Sequence, residues 1–266
     1  MSRINIFARG NLDVRDTLHS LRIGGELTWN GVNEVLRDVH PDAVVRVRHE
    51  TGTRSDALLA ADGRIPPELG ALEVSFAPYP LENQFAPALF EAQADAFVLS
   101  IQPELMTCLV RHKREGYLLF PGEWADWPLD KQAWLKANFD DAGLIDIEAA
   151  LANFGAIVDR LRARSEAPIL IYNLSYVVPG EQVHNHQGLE DLLSTRIKRL
   201  NLGLIELSQS KGVSIIDVDA IIARGGADRL KIDAIHLTTE ACRRVAEEVV
   251  RVLDELDVFA QASEAA

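Results

Sequence analysis

Asp233 and His236 stand three residues apart in the stretch Lys231-Ile-Asp-Ala-Ile-His-Leu-Thr-Thr-Glu240. In a turn, that spacing lets a carboxylate meet the imidazole Nδ1–H, which fixes the tautomer and leaves Nε2 as a general base. Thr238 or Thr239 can cap the helix that follows, and Glu240 suits its first turn. A cap accounts for the threonines but not for a histidine just ahead of them. Other reactive residue types are scattered. His184-Asn185-His186, with Glu181, Glu190 and Asp191 near in sequence, has the residue types of a metal chelate, but two histidines alone are a weak signal and a polar loop is the preferred reading, with metal-assisted hydrolysis a minor alternative. Ser100 and Ser175 are the serines placed to serve as nucleophiles, provided a base comes within reach.

The elements that must position these residues follow from hydrophobic pattern. Short apolar runs at Ile4–Ala8, Val44–Val47, Leu72–Phe76, Ala96–Ile101, Pro168–Tyr172 and Val213–Val218 read as strands covered on both faces. Between them, apolar residues spaced by three or four predict helices over Leu144–Arg164, Leu189–Ser210 and Ala241–Leu256. The alternation predicts an α/β fold with a mainly parallel sheet, in which ligands bind at the carboxyl ends of the strands. The informative segments are therefore Gly10-Asn11-Leu12-Asp13, Ala77-Pro78-Tyr79, Gln102-Pro103-Glu104, Asn173-Leu174-Ser175-Tyr176 and Asp219. Neither a dinucleotide fingerprint, nor a phosphate-binding P-loop, nor a G-x-S-x-G elbow is present.

The block Asp233-Ala-Ile-His236-Leu-Thr-Thr-Glu-Ala241 resembles the last conserved block of the SGNH/GDSL hydrolases. That resemblance implies a flavodoxin-like three-layer α/β/α sandwich with a mainly parallel sheet of five or six strands. It implies a hydrolase or acyl transferase acting on an ester or acyl group, with His236 as base and Asp233 as its orienter. Asn11, Gln102 or Asn173 would donate to the developing oxyanion, with Asp13 and Ser175 beside the substrate and neither cofactor nor metal required. Leu12 stands where the family carries its nucleophilic serine, and Gln102 stands nearest to its oxyanion asparagine. No glycine near Ala77-Pro78 matches the family's second block. A similar loss marks the SGNH-like N-terminal domains of FkbH-type proteins from polyketide pathways, which Gly10-Asn11 and Tyr172-Asn-Leu-Ser175 also resemble. That branch implies the alternative of a catalytically altered binding or accessory domain in a biosynthetic pathway.

The 266 residues suit one large domain, read as residues 1–260 with a frayed tail at 261–266. Residues 114–141, which hold three of the four tryptophans, break the alternation and read as a lid, an insertion or a loop packed on the core. A net charge of −13 does not provide the basic footprint that nucleic acid or an anionic membrane needs. The basic run Arg111–Arg114 reads as a solvated helix end. Cys108 and Cys242, in helical-looking context, read as buried free thiols of a cytoplasmic protein. The expected partner is a small-molecule or carrier-bound acyl substrate.

Overall fold

The structure is a computed structural model that describes residues 2–23, 26–178 and 192–260. The N-terminal apolar run forms β1 (Ser2–Gly10). Four further strands join it in one parallel sheet: β2 (Ala43–Thr51), β3 (Ala96–Ser100), β4 (Ile169–Tyr172) and β5 (Ser214–Ile216). The order across the sheet is β5-β4-β3-β1-β2. The register pairs Ile6 with Val47 and with Ala96, Phe97 with Ile169, and Ile215 with Ile171. This is the flavodoxin-like order, and its topological switch point lies between the carboxyl ends of β1 and β3.

The flanking helices are α1 (Leu12–Leu18), α2 (Val32–Val39), α3 (Ile147–Arg162), α4 (Leu193–Lys211), α5 (Val218–Gly225) and α6 (Thr239–Glu255). Successive strand residues point to opposite faces, so each strand supplies both layers. Ile4, Ile6, Ala8, Val98, Leu170 and Tyr172 share a core with α1, α2, α5 and α6. Phe7, Phe97, Leu99, Ile169 and Ile171 share the other core with α3 and α4. Strands buried on both sides account for continuous apolar runs rather than alternating ones. Val245, Val249 and Leu253 of α6 are fully buried at a spacing of four, which seats one face of this helix against the sheet.

Several expectations change. The segment Leu72–Phe76 forms no strand. Leu72 and Phe76 instead enter a third core with Phe85, Leu119, Trp127, Leu135 and Phe139, so packing satisfies their apolar pattern without a sheet ladder. The last strand stops at Ile216 because Asp217 caps α5, its side chain accepting from Ala220 N at 3.0 Å. Arg111 and His112 end a strand (Leu109–His112), and Lys113 and Arg114 form a turn, not a helix end. Cys242 is buried in α6, whereas Cys108 is exposed in the link between a short helix and that strand.

Residues 114–141 fall in a second unit. Leu109–His112 pairs antiparallel with Leu118–Leu119 and with Phe139–Gly143, and the helix Leu129–Asn138 crosses between them. This unit and the 65–85 segment enclose the third core. Residues 261–266, read from sequence as a frayed tail, lie outside the described residues.

The turn from β1 into α1 is tight at Gly10. A Cβ there would stand 2.7 Å from Val14 Cγ2 and 2.9 Å from Ser100 Cβ. Gly10→Ala is therefore expected to destabilise the fold by about 1–3 kcal/mol through overpacking, read as a lower midpoint in urea denaturation.

Candidate active site

The Asp-x-x-His turn is built by its own aspartate. Asp233 Oδ1 accepts from Ile235 N at 2.9 Å and from His236 N at 2.8 Å. Oδ2 then faces His236 Nδ1 at 2.6 Å. Side-chain acceptance from the next few amides is the usual way an aspartate closes a turn. The turn is clamped at its base, where Ile232 N donates to His236 O at 2.9 Å and Thr238 N to Leu230 O at 3.0 Å. Thr238 caps α6, accepting from Ala241 N at 3.3 Å. Partial burial alone would raise the Asp233 pKa, but the hydrogen bonds from the His236 ring and the two amides outweigh it and hold the pKa at about 2. The carboxylate is thus charged at neutral pH and favours Nδ1–H on the ring. The His236 side chain is 36 % exposed, and Nε2 has no hydrogen-bond partner among the described residues.

The switch point supplies the second half of the site. Asp13, in the first turn of α1, is 6 % exposed. Its Oδ1 accepts from Asn11 N at 3.2 Å, and its Oδ2 accepts from the Ser100 hydroxyl at the end of β3. Burial pushes the Asp13 carboxyl up to about 6, against the lowering effect of the Ser100 bond. Ser100 Oγ in turn accepts from Gln102 N at 2.9 Å. The Gln102 side chain crosses to the Asp-x-x-His turn, donating from Nε2 to Ile235 O at 3.3 Å. Asn11 Nδ2 donates to the Tyr79 hydroxyl at 2.8 Å, while the buried Asn11 Oδ1 has no partner.

Asn11, Asp13, Ser100 and Gln102 are therefore in one hydrogen-bonded group, and Gln102 joins it to the turn that carries Asp233 and His236. Asn173 is engaged elsewhere. Its Nδ2 donates to Asp217 Oδ1 at 2.8 Å and its Oδ1 accepts from Asp219 N at 3.1 Å, which ties the end of β4 to α5. Asp219 accepts from Tyr176 N at 3.2 Å. Ser175 is buried, and its hydroxyl has no partner. It lines a small cavity beside the Asp233–His236 turn together with Asp13, Lys231 and Ile235. Leu12 is the half-buried first residue of α1 and brings no reactive atom to the nucleophile position. His184 and His186, with Glu181, Glu190 and Asp191, lie outside the described residues.

Lys231 and Arg9 were not singled out from sequence, and Tyr79 stood there only as the end of the segment Ala77-Pro78-Tyr79. Tyr79 orients Asn11 although the strand expected before it is absent. Lys231 is buried, donating to Val177 O at 2.5 Å and Ser175 O at 3.4 Å, and burial lowers its pKa to about 8. Arg9 is a buried cation in β1, just after the apolar run Ile4–Ala8. For Arg9 a signal existed, since a charge within a strand buried on both faces requires a partner. For Lys231 none did, because its role depends on a loop folding back.

No protein-family model and no curated sequence matches the chain. Solved structures do. The chain is similar to Axe2, an acetylxylan esterase from Geobacillus stearothermophilus, at 11 % identity over 93 % of each chain with a TM-score of 0.53. It is similar to LAE5, an alpha/beta hydrolase enzyme from the metagenome of Lake Arreo, Spain, at 12 % identity over 93 % of this chain and 94 % of that one, TM-score 0.52. A third similarity is to the acetyl xylan esterase AlAXEase, at 12 % identity over 94 % and 100 %, TM-score 0.51. Identities this low show the fold alone. The sandwich shared with these three structures is the one the SGNH resemblance implies. Among the described residues, no helix is long and apolar enough to cross a membrane.

The raised Asp13 pKa has a pH consequence with a definite sign. The folded state holds this proton more tightly than the unfolded chain, whose carboxyl titrates near 3.8. The resulting stability is complete below about pH 4 and is lost as pH rises through about 6. Asp13→Asn is expected to remove that slope, making the wild type lose about 2 kcal/mol more than the variant between pH 4 and 7. Glu104, also raised by burial, to about 7, contributes equally in both proteins. Urea denaturation across this range checks the difference.

Proposed function

We propose that the chain is an SGNH-like hydrolase or acyl transferase acting on an ester or acyl group of a small-molecule or carrier-bound substrate. The observation that carries this reading is the 2.6 Å contact between Asp233 Oδ2 and His236 Nδ1, with Nε2 left without a partner among the described residues. The shared fold with two acetylxylan esterases supports an ester as the reacting group. Leu12 offers no nucleophile, so the chemistry is written without an acyl-serine. His236 Nε2 takes the proton of a water, or of an acceptor hydroxyl in the transferase case, as that oxygen bonds to the acyl carbon. The intermediate then collapses, the bond to the leaving oxygen breaks, and His236 returns the proton to it. Asp233 stabilises the imidazolium in between. Asn11 Nδ2 and Gln102 Nε2 each keep one amide hydrogen beyond the bond already described. These are the donors for the oxyanion, each worth about 10²–10³ in rate.

A second reading is favoured by Leu12 itself: a binding or accessory domain that keeps the fold and has lost the acyl chemistry. The two readings separate on a panel of chromogenic acyl esters and thioesters, with fluorophosphonate labelling followed by intact mass. The proposal expects turnover by the wild type, a fall of about 10²–10⁴-fold in His236→Ala, and no adduct. An adduct on Ser100 or Ser175 would put a covalent route in place of the direct one. Turnover undiminished in His236→Ala would sink the assignment of the base. Ligand binding with no turnover of any ester would establish the binding domain.

A further inference from the structure

The turn that carries Asp233 and His236 is closed by its own bonds. Lys231 and Leu237 form an antiparallel bridge at its base, Ile232 N donates to His236 O at 2.9 Å, and Asp233 accepts from the Ile235 and His236 amides. These bonds fix the shape of the turn but not where it stands on the sheet edge. Ile235 and Leu237 pack, partly buried, against the two cores that flank the sheet, but apolar contact is non-directional. Direction comes from hydrogen bonds. Among the described residues, three of them join residues 231–237 to the other loops of that edge. One runs from Gln102 Nε2 to Ile235 O. The other two come from the Lys231 side chain, whose Nζ donates to Val177 O at 2.5 Å and to Ser175 O at 3.4 Å.

Lys231 is 7 % exposed, and lysine is rarely buried this far without partners. Burial lowers its pKa to about 8 against the pull of the nearby Asp233 and Asp219 carboxylates, which leaves it charged at neutral pH. A charged donor makes a stronger hydrogen bond to a carbonyl than a neutral one, and this ammonium grips the segment leaving β4 at two points. That segment is itself firmly held. Leu174 exchanges two hydrogen bonds with the Asn201 side chain of α4, at 3.2 and 2.7 Å, and Tyr176 N donates to Asp219 Oδ1 at 3.2 Å. We propose that Lys231 is a positioning residue for the reaction put forward above: its ammonium seats the Asp233–His236 turn against the segment leaving β4 and so sets the place of His236 Nε2 relative to Asn11 and Gln102. The inference rests on that reaction for its effect on rate, and on the hydrogen bonds alone for the seating.

Lys231→Met keeps an unbranched apolar stem and removes the donors. Leu161→Ala, in the core of α3 on the opposite face of the sheet from α6, is the control for lost stability alone. The direct readout is the nuclear Overhauser contact, in the full chain, between the Gln102 side-chain amide and His236 Hα. The wild type and Leu161→Ala are expected to show it, and Lys231→Met is expected to lose it. On any ester that the wild type turns over, kcat of Lys231→Met is expected to fall about 10–10²-fold with KM within about twofold, the effect of a base displaced by about 1 Å. Should Lys231→Met fail to fold, hydrogen exchange in the wild type decides: the Tyr176 and His236 amides are expected to open together, with equal protection. A contact retained in folded Lys231→Met, lost equally in Leu161→Ala or absent from the wild type overturns the proposal. So does an unchanged kcat, or separate opening of the two amides. A wild type that turns over no ester ends the proposed reaction, while the Overhauser contact and the exchange still decide whether Lys231 seats the turn.

Discussion

Asp13 places a carboxyl in the first turn of α1 with almost no solvent contact, and each of its oxygens accepts from a group that defines the switch point. One is the Asn11 amide, which sets the exit from β1. The other is the Ser100 hydroxyl, which sets the exit from β3. From Ser100 the chain of contacts continues through Gln102 N to the Gln102 side chain, and from there to Ile235 O beside His236. From Asn11 it continues to Tyr79. The Asp233–His236 turn, Asn11 with Gln102, and the Tyr79 loop are therefore joined through one buried carboxyl. Asp13 satisfies two of the network's donors at once, while Asn11 Oδ1 is left without a partner.

The same contact explains why Gly10 and Ser100 occur together. Asp13 and Ser100 meet only if the β1–α1 turn comes within van der Waals contact of β3, and a side chain at position 10 would prevent it. Ser100 is thereby used up as a structural hydroxyl: it donates to Asp13 and accepts from Gln102 N. A serine in that state is a poor nucleophile, since its proton is already given to the buried Asp13 carboxyl. Ser175 is the opposite case, a buried hydroxyl with no partner that lines the small cavity beside the Asp233–His236 turn.

How much of this was legible in the sequence depended on range. The strands and long helices follow from period, and the Asp233–His236 contact follows from a spacing of three within a turn; both are local. Leu72–Phe76 misled because apolar residues in an extended segment look alike whether they pair in a sheet or pack into a side core. Cys108 and Arg111–Arg114 misled because a short three-strand unit interrupts the alternation there. Asn173 pointed to the right edge of the sheet, but its amide serves Asp217 and Asp219, acidic residues more than 40 positions away. The Asp13–Ser100 bond spans 87 positions, and no periodicity reports such a pair.

The two flanks of the site differ in how they are held, which bears on how the second unit relates to the chemistry. Tyr79 packs edge-on against Phe120 of that unit, with ring centroids 4.9 Å apart, and its hydroxyl fixes Asn11. Gln84 closes the same corner, donating to Phe120 O at 3.0 Å while accepting from Phe120 N at 2.8 Å. A shift of Phe120 therefore reaches an oxyanion candidate through a single side chain. A second route leaves the same unit through Gly143 O, which accepts from Arg54, whose guanidinium also donates to Thr107 O at 3.3 Å beside the short helix that carries Gln102. The unit around residues 109–143 is thus joined to Asn11 through Tyr79 and to the Gln102 segment through Arg54. A ligand held there would therefore act on both ends of the Asn11–Gln102 hydrogen-bonded group.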